Sequence, residues 1–221
     1  TVCSIFAQTT IASWDFDGLT EFNTINLIPA SSGTGTIYLN GTNGSSYWDT
    51  TSTNKQLTAF SGSPSSGKAL TIADSSANGY SLVIAVPTTG LENINVVFKT
   101  RGTSSGFNSH TWGYSTDGVT FTDISGNNTA VTSSTFLVKS VDFTSITSIN
   151  NQTAVYIRLT VNGATSVAGN NRIDSLVITG TVPGAMTSAA TPTFTPAAGV
   201  LYAPTAITLE CATPASTIYY T

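Results

Sequence analysis

Charge is what this sequence has least of. Of its 221 residues, 7 are Lys or Arg, 11 are Asp or Glu, and the charged fraction is 8 %, against roughly 25 % in an ordinary soluble domain. The few cations are scattered, and the densest local group is Lys99 with Arg101. Nucleic-acid binding needs clustered cations that displace counterions from phosphates, so the composition argues against it. No basic amphipathic helix is available for a membrane surface. No apolar run approaches the roughly 20 residues that a spanning helix requires. Cys3 and Cys211 stand near opposite ends and make neither a disulfide framework nor a metal motif, so stability must come from a core.

Catalytic groups are equally scarce. His110 is the single histidine, and a Ser-His-Asp arrangement would have to use it with Ser109 or Asp117, neither of which lies in a G-x-S-x-G turn. A glycosidase needs two carboxylates about 5–9 Å apart. Glu21, Glu92 and Glu210 are dispersed, and only Asp15 and Asp17 stand at i and i+2 on one strand. The sequence therefore reads as a non-enzyme.

Ser, Thr, Asn and Gly supply the polarity that charge does not. Thr favours strands, while Asn and Gly tolerate the positive φ that tight turns need. Helical periodicity is almost absent, and period-two alternation is widespread. Strands are expected near 11–17, 36–39, 57–60, 68–73, 79–86, 93–101, 109–115, 119–124, 136–143, 154–162 and 172–181. Asp117-Gly118 between alternating segments predicts a tight hairpin. Residues 18–56 read as surface loops. This spacing predicts an all-β sandwich or barrel.

Residues 1–8 are short and mostly apolar and read either as the tail of a signal peptide, with cleavage after Ala7, or as a first strand. The signal reading implies a secreted protein. After Gly180 the composition shifts, and 182–190 reads as a linker. Residues 191–221 then start a new pattern.

That last pattern carries Pro192-Thr193-Phe194, Pro196-Ala197-Ala198-Gly199, Ile207-Thr208-Leu209 and Ala212 to Thr221. It resembles the opening of the immunoglobulin-like β repeat at the C-terminus of chitobiases and β-hexosaminidases, a repeat that continues beyond what is present here. Residues 9–181 contain Trp14-Asp15-Phe16-Asp17-Gly18, Gly62-Ser63-Pro64, the Tyr114 to Gly118 segment and Asn171-Arg172-Ile173-Asp174. They resemble a jelly-roll-like domain of secreted Bacteroidetes proteins. The resemblance implies a carbohydrate-binding-like or adhesive module of a larger protein, exported by the type IX route and placed at the cell surface. The expected fold is a jelly-roll-like β-sandwich followed by the start of a small immunoglobulin-like β domain.

Glycan binding uses aromatic faces with a few polar groups. Tyr47 and Trp48, between Ser-rich and Thr-rich segments, are the first candidates for an exposed platform. His110, Trp112 and Tyr114 share one strand face. If that face is concave, they line a groove with Arg101; if it is inner, they are core. Tyr156 has the opposite parity to Val155, Ile157 and Leu159 and is a further candidate. First and last strands tend to be neighbours in jelly rolls, which would bring Asp17, with Asp15 on the same strand, towards Asp174. The three could supply hard oxygen ligands for structural Ca2+; alternatively, Asp17 or Asp174 pairs with Arg172 and the rest cap turns. The functional readings are a non-catalytic glycan-binding or adhesive module, a self-assembling structural subunit, and an accessory part of a secreted hydrolase. Partners would be a polysaccharide surface, further copies, or adjacent domains of the same protein.

Overall fold

Alternation turns into strand almost wherever it is strong. The segment Val155–Asn162 buries every second residue, and so does most of Glu92–Gly102. The computed structural model describes residues 8–18, 27–39, 57–61, 67–183, 191–197, 199 and 206–212. Two units are distinct, Gln8–Pro183 and a second that includes Gly184–Thr221.

The strands of the first unit are β1 (Gln8–Trp14), β2 (Leu27–Pro29), β3 (Ser32–Gly33), β4 (Thr36–Tyr38), β5 (Leu57–Ser61), β6 (Lys68–Ala73), β7 (Ser81–Val86), β8 (Glu92–Gly102), β9 (Ser109–Ser115), β10 (Thr122–Ile124), β11 (Leu137–Asp142), β12 (Val155–Asn162) and β13 (Asn170–Thr181). They form two antiparallel sheets. The first has the order β11-β8-β13-β1-β3, with β6 also on β13 and β5 on β6; the second runs β10-β9-β12-β7-β4-β2. The chain changes sheet at each step from β6 to β9 and again from β11 to β13, which is the jelly-roll-like pattern. The first and last strands of the unit are neighbours, as expected, with Ser13 opposite Val177 and Trp14 opposite Leu176. The second unit shows one ladder, β14 (Thr193–Thr195) against β15 (Thr208–Glu210), with Phe194 opposite Leu209. No helix among the described residues is long and apolar enough to cross a membrane.

The core fills the space between the sheets. Ile94, Val96 and Phe98 of β8 and Ile173, Leu176 and Ile178 of β13 come from one side. Ile84, Trp112, Ile157 and Leu159 come from the other. Phe98 and Trp112 meet across it, ring centroids 5.4 Å apart. The indole of Trp14 donates to the Ile28 carbonyl at 3.2 Å, which pins β2 to β1.

Three details differ from expectation. Strands β2 and β3 lie inside the stretch read as loops. β2 is made by its ladder with β4, Ile28 opposite Ile37, and β3 by bonds to β1, where Ser31 N donates to Ser13 O and Thr34 N to Ile11 O. β1 begins at Gln8 and ends at Trp14 rather than Asp17, because Phe16 takes a φ of 59°. The Asp-Gly turn is wider than a two-residue hairpin, since Tyr114 pairs with Thr122 and the loop spans 116–121. Asp117 organises it: Oδ1 accepts from Ser115 Oγ at 2.7 Å and from Val119 N and Thr120 N, both at 2.8 Å. Those bonds, the one from Ser115 first, hold its carboxyl down at about 2. A side chain that caps backbone amides this way competes with the tighter turn.

Gly35 marks a close approach to core side chains. A Cβ there would lie 2.8 Å from the Trp14 ring and 2.9 Å from a Val86 methyl. Gly35→Ala is expected to destabilise the unit by about 1–3 kcal/mol through overpacking. Urea unfolding followed by tryptophan fluorescence measures it, and an unchanged midpoint would contradict the packing described.

Candidate functional site

Each residue singled out in the sequence has a definite place or lies outside the described residues. Tyr47 and Trp48 lie outside them. Trp112 and His110 point inward from β9, 1 % and 2 % exposed, so the face they share is the inner one and neither presents itself to a sugar. Arg101 is on the outer face of the other sheet and cannot line a groove with them. Strand parity is the reason: Thr100 and Gly102 turn in beside Phe98, which turns Arg101 out.

His110 instead closes a buried polar node. The Asn171 amide is oriented by Phe107, whose N–H donates to Oδ1 and whose carbonyl accepts from Nδ2, each at 2.9 Å. Nδ2 therefore faces His110 Nε2, 3.4 Å away, and only a bare Nε2 can accept there. The proton is then on Nδ1, which donates to Thr129 Oγ1 at 2.9 Å; the same oxygen accepts the Trp112 indole N–H at 2.9 Å. Burial pushes the imidazole pKa down to about 4 from 6.5.

The metal reading meets an obstacle in placement. Asp15 Oδ1 accepts from Ser31 Oγ at 2.8 Å, and Asp17 Oδ1 accepts from Lys68 N at 2.8 Å. Asp174 is 1 % exposed in β13, where Oδ1 takes the Ser175 amide. Among the described residues no three His, Cys, Asp or Glu side chains form a group that could hold a metal ion. The pairing of β1 with β13 expected for them is present.

The group that does converge on one surface is the outer face of the second sheet. Register sets it. Tyr38 stands opposite Val83, Val83 opposite Arg158, Arg158 opposite Gly113 and Gly113 opposite Asp123. One row along, Thr36, Ala85, Tyr156 and Ser115 follow in the same order. Two half-buried tyrosines thus share a face, two strand spacings across and two residues along, about 12 Å apart. Val83 and Ala85 of β7 lie between them, and Val83 is 1 % exposed.

One border of this face is fixed by charge. Arg158 Nη2 donates to Asp123 Oδ1 at 2.8 Å, with side-chain exposures of 23 % and 55 %. The guanidinium also sits 4.5 Å from the Phe121 ring centroid, a cation–π contact that holds its plane. Beyond Asp123 an open cleft of about 380 Å³ is lined by Ser109, Thr111, Asp123, Ser125 and Asn127 among others. The face is electrically balanced, and its polar groups are hydroxyls and amides. Tyr156 was legible from parity alone. Tyr38, Phe121, Asp123 and Arg158 were not singled out, although Arg158 follows Tyr156 at i+2 and shares its parity.

Neither a protein-family profile nor a curated protein matches the sequence. Solved structures do resemble the fold. The N-terminal CBM22-1–CBM22-2 tandem domain of Paenibacillus barcinonensis Xyn10C matches at a TM-score of 0.50 and 10 % identity, over 86 % of this chain and 51 % of that one. This chain therefore spans about half of the tandem's length. TmCBM61, solved with β-1,4-galactotriose, matches at a TM-score of 0.37 and 14 % identity over 56 % of this chain and 81 % of that one. The xylan-binding module CBM15 matches at 0.39 and 19 % over 69 % and 94 %. The first of these supports the two-sheet sandwich.

The His110 node carries a pH dependence. Its folded pKa lies below the unfolded value, so the unfolded chain takes up the proton first as pH falls. Stability should decline from about pH 6.5, level off near pH 4 and lose about 3 kcal/mol over that window. Urea midpoints across that range measure the slope, and His110→Gln should flatten it. An equal slope in both proteins would contradict the assignment.

Proposed function

We propose that this chain is a non-catalytic, glycan-binding accessory module of a larger exported protein, and that the outer face of the second sheet is its site. The observation that carries the reading is the pair of tyrosines, Tyr38 and Tyr156, held on one face with Arg158 and Asp123 at its border. Sugar rings present C–H faces that stack on aromatic rings, while their hydroxyls need a few fixed donors and acceptors. A spacing of about 12 Å exceeds the width of one sugar ring and suits non-adjacent rings of an extended chain rather than one isolated sugar. The balanced Arg158–Asp123 pair supplies both a donor and an acceptor without net charge, which favours a neutral polysaccharide.

The composition supports the exported setting, because Ser, Thr and Asn hydrate the strands in place of charge. The sandwich shared with a tandem of carbohydrate-binding modules is compatible with the reading. The catalytic part of such a protein would lie in another domain.

Affinity electrophoresis in gels containing xylan, galactan, mannan or β-glucan tests the site. Tyr156→Ala and Arg158→Ala should each weaken retardation by about tenfold, equivalent to 1.4 kcal/mol, with the melting temperature nearly unchanged for Tyr156→Ala. Wild-type retardation preserved in both variants would remove this face from the reading.

A further inference from the structure

After Ile124 the chain leaves its ladder with β9, and it comes back to that strand through a side chain. Asn128 Oδ1 accepts from His110 N at 2.9 Å and from Ala130 N at 3.0 Å, while its Nδ2 donates to the Asn108 carbonyl at 3.0 Å. Thr129, next along, is bonded to the buried His110 and Trp112. Residues 125–127 are therefore lifted away from β9 between two fixed points, and Gly126 turns the chain there at a φ of 80°. The open cleft of about 380 Å³ is lined by both sides, with Ser109 and Thr111 on β9 and Ser125 and Asn127 on the loop. Walls pinned in this way lose little freedom when a ligand enters.

The cleft holds polar groups that the fold itself does not use. Asn128 and Thr129 anchor the loop, but the side chains of Ser109, Thr111, Ser125 and Asn127 have no hydrogen-bond partner among the described residues, and each is half-buried or exposed. Asp123 at the rim gives Oδ1 to Arg158 and keeps a side-chain exposure of 55 %. Gly113 makes that reach possible, since a Cβ there would lie 2.8 Å from Asp123 Oδ1. The lining has no Phe, Tyr or Trp and no Lys or Arg. A ring has nothing to stack on here, and an anion would meet a carboxylate with no cation in the walls. Hydroxyls and an amide are suited to the hydroxyls of a neutral sugar.

Position decides which sugar of a chain this is. Thr111 stands opposite Thr160, and Ser115, four residues along β9, stands opposite Tyr156. On strand spacings Thr111 is about 14 Å from Tyr156 and about 16 Å from Tyr38, against about 12 Å between the tyrosines. The three points form a triangle, so a straight chain over both rings passes the cleft by. A substituent that projects from such a chain past Arg158 and Asp123 enters it. We propose that the cleft is a subsite for a neutral sugar carried as a side branch of the polysaccharide, a reading that rests on the tyrosine face receiving the main chain.

Affinity electrophoresis of the whole chain in paired gels tests this. Each pair shares a backbone without and with neutral branches: mannan and galactomannan, xylan and arabinoxylan, β-glucan and xyloglucan. Within the pair that retards, the branched polymer is expected to bind about tenfold more tightly. Ser125→Ala with Asn127→Ala should remove that preference while the melting temperature and retardation by the linear polymer stay unchanged. Thr111→Val, on the opposite wall, should reduce the same preference, and Tyr156→Ala should weaken binding of both polymers. Equal wild-type retardation within every pair would overturn the subsite and leave the main-chain site standing, as would a preference that survives the double variant. A wild-type chain that no gel retards would remove the tyrosine face and the subsite together.

Discussion

Strand parity in β12 and β13 is the constraint on which the rest of this molecule depends. Each is a central strand with partners on both edges, and each buries alternate residues. A slip of one residue would carry Val155, Ile157, Leu159 and Val161 into water and bring Tyr156 and Arg158 into the core. Core and surface are therefore specified by the same ladder. The bulge after Asp174 in β13 shows how tightly this holds: an extra residue is absorbed there, with Ser175 at a φ of 49°, and Leu176 and Ile178 still face inward.

A sandwich held by its core leaves its outward-facing side chains unconstrained by core packing. With so little charge in the chain, the places where charge is concentrated become informative. On the second sheet Arg158 is matched by Asp123 and flanked by aromatic rings. The chemistry proposed for the second sheet follows from that matched pair.

Much of the fold was legible because the signal is local. Alternation marked β6, β8, β9, β12 and β13 to within two residues at either end. What stayed hidden depends on contacts distant in sequence. β2 and β3 are short; β3 exists through backbone bonds to β1 and β2 through its ladder with β4, which no local pattern announces. The Asp117 turn was placed correctly and its width misjudged, because its amide-capping carboxylate outweighs the preference of an Asp-Gly pair. The site was harder to read than the fold. Parity exposed Tyr156, yet the companions of Tyr156 sit on β4, β9 and β10, and only register brings them to one face. His110 looked like a surface candidate because histidine is polar. The fold buries it by giving both ring nitrogens partners from Thr129 and Asn171.

The central claim is that the outer face of the second sheet receives a sugar chain. Backbone amide chemical shifts recorded during titration with an oligosaccharide of whichever polysaccharide binds would test it most directly. The account predicts that the perturbed amides cluster on β4, β7, β9 and β12 around Tyr38, Val83, Thr111 and Tyr156, with β8 and β11 unmoved. Perturbations confined to the first sheet, or to the Thr193–Glu210 ladder, would contradict it.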